Sequence, residues 1–220
     1  MQITSSADLP RHFTPADRAV LVLDRLLKSA VGPHSSSRPY PAQNLPETIK
    51  NPETKRKVAS LMRVNHAGEI CAQALYHGQS LTAKRSDVSQ SMALAAQEEV
   101  DHLAWCAQRL TELDAQPSLL DPVWYAGSFA IGSVAGLCGD KYSLGFVAET
   151  ENQVVAHLQS HLTRLPEEDA RSRAILEQMV DDEARHGDSA MHQGGQLPPS
   201  LIRGAMRWVA KIMTKTAQHL

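Results

Sequence analysis

The sequence predicts an all-α chain built on a four-helix bundle, with additional apolar and amphipathic helices outside it. Three observations carry this. From about residue 52, apolar side chains recur at spacings of three and four through four long segments. No alternating run is long enough to suggest a sheet strand. Each of the four segments also carries one glutamate in the middle of its apolar stripe.

Taken in order, residues 14–31, TPADRAVLVLDRLLKSAV, read as a first helix with Thr14 as N-cap and Pro15 in the first turn. Residues 32–47, GPHSSSRPYPAQNLPE, are rich in Pro and Ser and read as a linker or extended arm, not a core element. The expected organisation is therefore an N-terminal helix and arm over 1–50, then the bundle and a C-terminal amphipathic helix over 51–220. The bundle helices are expected at 52–83, 87–114, 141–165 and 168–193, with turn signals at Ser86-Asp87 and Pro166. Between the second and third lies Pro122–Gly139, 18 residues without a charge. That is close to the lower limit for a bilayer span, but Gly127, Ser128, Gly132, Ser133 and Gly136 dilute its hydrophobicity. It is expected as a buried crossover, or as a greasy helix or loop at the mouth of a site. The C-terminal SLIRGAMRWVAKIMTKTAQHL places Arg203, Arg207, Lys211 and Lys215 on one helical face and apolar residues with Trp208 on the other. This is the pattern of an interfacial helix drawn to anionic lipid; packing against the bundle or a dimer partner is the alternative.

The composition narrows the function. A chain of 220 residues can bury a sizeable core. A net charge of −2 gives no basic field for nucleic acid. Cys71, Cys106 and Cys138 lie far apart, suit a reducing compartment, and form neither a disulfide framework nor a CxxC metal knuckle. The start, MQITSSADLPRHF, lacks the charged and apolar regions of a signal peptide.

The inward stripes locate the chemistry. They read Val58, Met62, Asn65, Glu69, Ala72, Tyr76; then Met92, Ala95, Glu99, His102, Cys106, Leu113; then Leu144, Val147, Glu151, Val154, Leu158, Leu165; and last Leu176, Met179, Glu183, His186, Ala190. An unpaired carboxylate inside a bundle costs several kcal/mol, and no Lys or Arg occupies these stripes. Four glutamates and two histidines thus face one another without a cation from the chain. Two metal ions would supply the charge, and an oxygen-rich set with one imidazole per ion suits iron or manganese better than zinc or copper. Four-helix di-iron proteins use one Glu from each of two helices and Glu-x-x-His from the other two. Glu69 to Glu99 spans 30 positions and Glu151 to Glu183 spans 32, so the chain reads as two similar hairpins. A single Glu-x-x-His is a weak signal; six residues in the order Glu, Glu-x-x-His, Glu, Glu-x-x-His form a strong one.

Neighbouring groups have plainer readings. His66 and His77 border the Glu69 stripe and are expected at surface or partly buried positions. His157 reads as a second-layer donor or a structural histidine. Glu98 and Asp182 each precede a ligand glutamate and could accept from the far ring nitrogen of the histidine on the partnered helix; exposed helix charges are the alternative. Tyr76 reads as a core tyrosine, with a radical or hydrogen-bonding role as the rival.

At LMRVNHAGEICAQALYHGQS (61–80), AQEEVDHLAWC (96–106), FVAETENQVVAHLQSHL (146–162) and VDDEARHGDSA (180–190) the sequence resembles the demethoxyubiquinone hydroxylase family of ubiquinone biosynthesis. R-V-N-H-A-G-E is a specific signature. The resemblance runs from about residue 55 to the C-terminus and leaves 1–50 uncovered. It implies a ferritin-like fold, a carboxylate-bridged centre of two iron ions, and O2-dependent hydroxylation of the ring of a polyprenylated methoxy-benzoquinol. It further implies a peripheral position on the cytoplasmic side of the cell membrane. Its ligands would be Glu69, Glu99, His102, Glu151, Glu183 and His186, with Glu99 and Glu183 bridging. Glu149 competes with Glu151, but only Glu151 shares the apolar stripe. The implied partners are the quinol, O2, the membrane surface and an electron donor of unknown identity. A homo-oligomer or a ubiquinone-biosynthesis complex is left open. No glycine fingerprint for a flavin or nicotinamide domain occurs, so electrons come from the substrate quinol or an outside donor. A ferritin- or rubrerythrin-like protein that stores iron or reduces peroxide shares the ligand frame. A non-enzymatic membrane adaptor would need no inward ligands.

Overall fold

The computed structural model describes residues 35–219, so the helix expected at 14–31 lies outside the described residues. The described chain contains six helices and no strand. They are α1 (Pro52–Thr82), α2 (Ser86–Glu112), α3 (Asp121–Leu137), α4 (Asp140–Arg164), α5 (Ala170–His192) and α6 (Ser200–Ala217). Helices α1, α2, α4 and α5 are the four expected from the periodicity, with ends shifted by a residue or two.

Local chemistry sets their limits. Asn51 caps α1 by accepting from the backbone N–H groups of Glu53 and Thr54, with Pro52 in the first turn. Asp169 caps α5 by accepting from the Ser172 N–H, after the Pro166 turn. Between α3 and α4 the chain reverses at Gly139, whose φ of 107° is open to glycine at little cost.

Helix α1 packs along α2 and α4 packs along α5, giving two hairpins. Two apolar layers form between them. One joins Val58, Met62, Cys106, Leu158, Leu176 and Met179; the other joins Ala72, Tyr76, Met92, Leu144, Val147 and Ala190. The stripe glutamates of all four helices fall between these layers in sequence, so the polar groups are sealed at both ends.

The arm departs from expectation, and the uncharged stretch takes the helical form among its expected alternatives. The arm, read as lying outside the core, buries Ala42 completely and Ile49 almost so, and both join the first layer. Pro and Ser content marks a segment without regular hydrogen bonding; it says nothing about which of its few apolar residues are covered. The uncharged stretch resolves as helix α3, laid along α1. Its glycines do more than dilute hydrophobicity. A Cβ at Gly132 would overlap the Leu75 backbone, and one at Gly78 would overlap Phe129 and Ser133. The two helices therefore cross backbone to backbone. Outward, α3 exposes Val123, Val134 and Leu137. Helix α6 exposes Leu201, Ile202, Trp208, Val209 and Ile212. No helix among the described residues is long and apolar enough to cross a membrane.

Candidate metal centre

All six stripe residues converge. Glu69 comes from α1, Glu99 and His102 from α2, Glu151 from α4, Glu183 and His186 from α5. Ligand atoms of Glu69, Glu99, His102 and Glu183 lie within 4.8 Å of one another. The four glutamates are at most 2% exposed.

The histidines face this cluster through Nδ1. His102 Nδ1 is 3.0 Å from Glu183 Oε1, 3.2 Å from Glu99 Oε2 and 3.4 Å from Glu69 Oε2. His186 Nδ1 is 3.1 Å from Glu183 Oε2 and 3.5 Å from Glu99 Oε1. Glu99 and Glu183 thus each turn one oxygen to each histidine, the disposition of a bridging carboxylate. Glu69 stands on the His102 side. Glu151 accepts a 2.5 Å hydrogen bond from the Tyr76 hydroxyl, and the Tyr76 ring meets His186 edge-on. Tyr76 is both a core residue and a hydrogen-bond donor.

The donor set fits metal ions on the structure's own terms. Glu69 Oε2, Glu99 Oε1, Glu151 Oε2 and Glu183 Oε1 are buried with no hydrogen-bond partner among the described residues. A buried unsatisfied oxygen is costly, and four in one cluster fit a site built to take cations. One imidazole N–H cannot serve three carboxylates. The electrostatics agree. Burial, reinforced by the neighbouring carboxylates, pushes the Glu69 and Glu151 carboxyls well above the usual range. Burial opposes charge on His186, but hydrogen bonds to Glu183 and Glu99 outweigh it and raise the imidazole to about 11. His102 is raised in the same way by Asp182 and Glu183. Despite its burial, Glu99 is held below the usual range by His102 and His186.

The far ring nitrogens are held crosswise. His102 Nε2 on α2 lies 3.0 Å from Asp182 on α5, and His186 Nε2 on α5 lies 2.7 Å from Glu98 on α2. Each Nε2–H can donate outward, leaving Nδ1 free to bind a cation. Both carboxylates were singled out from sequence for this role. They differ in setting: Asp182 is fully buried, whereas the Glu98 side chain is 42% exposed.

His66, His77 and His157 stay out of the cluster. His66, expected near the surface, is buried, with Nδ1 3.1 Å from Asp121 Oδ2. Aspartate 121 sits one residue before the uncharged stretch, so only a folded α1–α3 contact reveals the pair. His77 meets the Tyr125 hydroxyl at 2.6 Å. His157 stacks on His161 at 4.0 Å, and His161 Nδ1 is 2.8 Å from Asn65 Oδ1. Glu149 bonds Gln153, away from the cluster.

Sequence reasoning missed two groups at the centre's edge. Asp101 is buried between the stripe residues Glu99 and His102 in sequence, and Arg38 reaches in from the arm to bind it. Arg38 carries no periodic signal. A second feature is an apolar groove of about 750 Å³ lined by Ile131, Val134, Tyr142, Phe146 and Ile202, among others, where α3, α4 and the start of α6 meet. Beside Glu151, Leu75, Tyr76 and Val147 pack closely enough to leave no room for a water molecule.

Similarity to known proteins narrows the reading. Residues 56–217 match the family described as ubiquinone biosynthesis protein COQ7. A protein of Cupriavidus metallidurans is 56% identical over 206 residues, 93% of this chain and all of the relative. One of Acinetobacter baylyi is 53% identical over 213 residues, 96% of this chain and all of the relative. One of Legionella pneumophila strain Corby is 50% identical over 206 residues, 93% of this chain and 97% of the relative. All three are named 3-demethoxyubiquinol 3-hydroxylase. With six helices among the described residues, a buried Glu/His cluster and a match across most of its length, the chain belongs to the COQ7 family of ubiquinone biosynthesis proteins.

Proposed function

We propose that this chain is a 3-demethoxyubiquinol 3-hydroxylase, a di-iron monooxygenase that uses O2 to hydroxylate the ring of a polyprenylated methoxy-benzoquinol. The observation that carries it is the set of four buried glutamates, each with one unpartnered oxygen among the described residues, three of them within 3.5 Å of the Nδ1 atoms of two histidines. Glu69, Glu99, His102, Glu151, Glu183 and His186 would hold the two iron ions. When bound, the iron pair supplies the redox chemistry that activates O2.

The chain supplies position, charge and dryness. Asp182 and Glu98 hold the Nε2 protons and so orient the imidazoles. The two apolar layers exclude water along the bundle axis. Tyr76 keeps a proton on its hydroxyl, because burial and Glu151 push that group well above its ordinary range. Its hydrogen bond holds Glu151 in place at the cluster. The isoprenoid tail lies in the groove lined by Ile131, Val134 and Phe146. The exposed apolar faces of α3 and α6, with Arg207 and Lys211 alongside, rest on the cytoplasmic surface of the cell membrane, from which such a tail would come. Electrons come from the quinol or an outside donor. A ferritin-like store would share the ligand frame but has no use for the apolar groove.

The test is turnover of a demethoxyquinol with O2 by the iron-loaded protein, read alongside iron content. Glu183→Ala is expected to lose iron and hydroxylation together. Iron-loaded protein that binds two ions yet leaves the quinol unhydroxylated, with either electron source, would turn the assignment toward storage.

A further inference from the structure

We propose that Arg38 is a positioning residue for one metal position only: its guanidinium holds Asp182 against His102, so the Glu69–His102 position depends on the arm and the Glu151–His186 position does not. This rests on the two-metal reading above. Arg38 lies outside residues 56–217, the stretch matched by the family.

The arm is fastened at three consecutive residues. Ser36 Oγ accepts from Trp105 Nε1 at 3.1 Å. The Ser37 N–H donates to Asp101 Oδ1 at 2.6 Å. Arg38 Nε donates to Asp101 Oδ2 at 2.8 Å, and its guanidinium lies 4.6 Å above the Trp105 ring. So held, Arg38 Nη1 donates to Asp182 Oδ2 at 2.8 Å. That same oxygen faces His102 Nε2 at 3.0 Å, and Arg38 Nη2 lies 3.2 Å from Nε2. Arg38 is therefore the one guanidinium on the oxygen that orients His102; Arg185 Nη1 takes the other oxygen, Oδ1, at 2.9 Å.

The second histidine is served differently. Glu98, its outer partner, is half-exposed and pairs with Arg185 at 3.2 Å, and both approach from the bundle itself. No arm residue among those described touches Glu98 or His186. Removing Arg38 leaves Asp182 Oδ2, fully buried, with only the imidazole to serve it. The aspartate then turns toward Arg185 and its hold on His102 loosens, while His186 keeps its own outer partner, Glu98, which meets the change only through Arg185. Loss of such an outer partner typically weakens metal binding roughly ten- to a hundredfold.

Cobalt(II) titration of the metal-free full chain against a competing chelator tests this, using wild type, Arg38→Gln and Arg38→Lys. Wild type is expected to bind two ions. In Arg38→Gln, one dissociation constant is expected to rise roughly ten- to a hundredfold while the other stays at its wild-type value. A general loosening of the fold would weaken both. Arg38→Gln placed in a His186→Ala background is expected to weaken the remaining ion, and in a His102→Ala background to leave it unchanged. Two wild-type constants in Arg38→Gln, or an equal shift in both, would overturn the proposal. Should Arg38→Gln fail to fold, Arg38→Lys is judged by the same criterion, since lysine keeps the charge but not the fork that spans Asp101 and Asp182. Fewer than two ions in wild type would overturn the two-metal reading itself.

Discussion

Loading the metal-free protein is expected to expel about four protons at neutral pH. Without metal, the centre neutralises itself with hydrogen ions. Burial keeps protons on the Glu69 and Glu151 carboxyls, and the surrounding carboxylates keep both imidazoles charged, His186 up to about 11. A carboxylic acid and an imidazolium are poor ligands, so each must give up its proton when a cation arrives. Two protons leave from carboxyls and two from imidazoles, and the four positive charges lost equal those brought by two divalent ions. The assay is calorimetric titration with iron(II) or manganese(II) under argon, repeated in buffers of different ionisation enthalpy, which yields the proton count directly. Glu69→Gln replaces one titratable carboxyl by an amide and is expected to release about one proton fewer. A wild-type release of about two or less, unchanged by Glu69→Gln, would refute this account of the charge balance.

The stability of the metal-free protein should depend on pH through the same groups. The folded value of His186, about 11, lies above its ordinary 6.5. Its contribution is therefore complete below pH 6.5 and is lost as pH rises toward 11. The thermal midpoint is expected to fall over that window, and to stop falling once metal is bound. His161 works in the opposite sense. Burial, with His157 and Arg164 nearby, lowers it to about 3, so its contribution is present above pH 6.5 and fades as pH falls toward 3. A His161→Gln variant is expected to show a shallower acid limb in the same melts. Gly132→Ala should force α3 off the Leu75 backbone and cost about 1–3 kcal/mol in urea unfolding. An unchanged midpoint would mean that the helices do not cross as closely as described. Vesicles of anionic lipid should shift the emission of the exposed Trp208 to the blue, less so at high salt, and Trp208→Phe should abolish the shift.

The four bundle helices were legible because burial on one face imposes a spacing that the chain displays openly. The cluster of six was legible because charge in an apolar stripe conflicts with its surroundings, and such conflicts mark chemistry. The outer partners of the histidines could be read too, since Asp182 and Glu98 stand next to stripe residues. What escaped was long-range and aperiodic. Arg38 meets Asp182 across 144 positions, and nothing in SSSRPYP marks which residue will turn inward. The α3 glycines were visible, but their use depends on which helix lies beneath them. His66 was misplaced for a related reason, because its partner Asp121 belongs to an element outside the four-helix pattern.

The crosswise fastening of the histidines bears on how the protein is made. As the chain leaves the ribosome, α1 and α2 emerge first and bring Glu69, Glu99 and His102 with them. That hairpin lacks Glu183 and the Asp182 that orients His102, both still untranslated on α5. His186 in turn depends on Glu98 from the earlier half. Neither half is a finished receptacle, so a growing polypeptide presents only part of the donor set to a cation. The full set waits until the two halves close on each other.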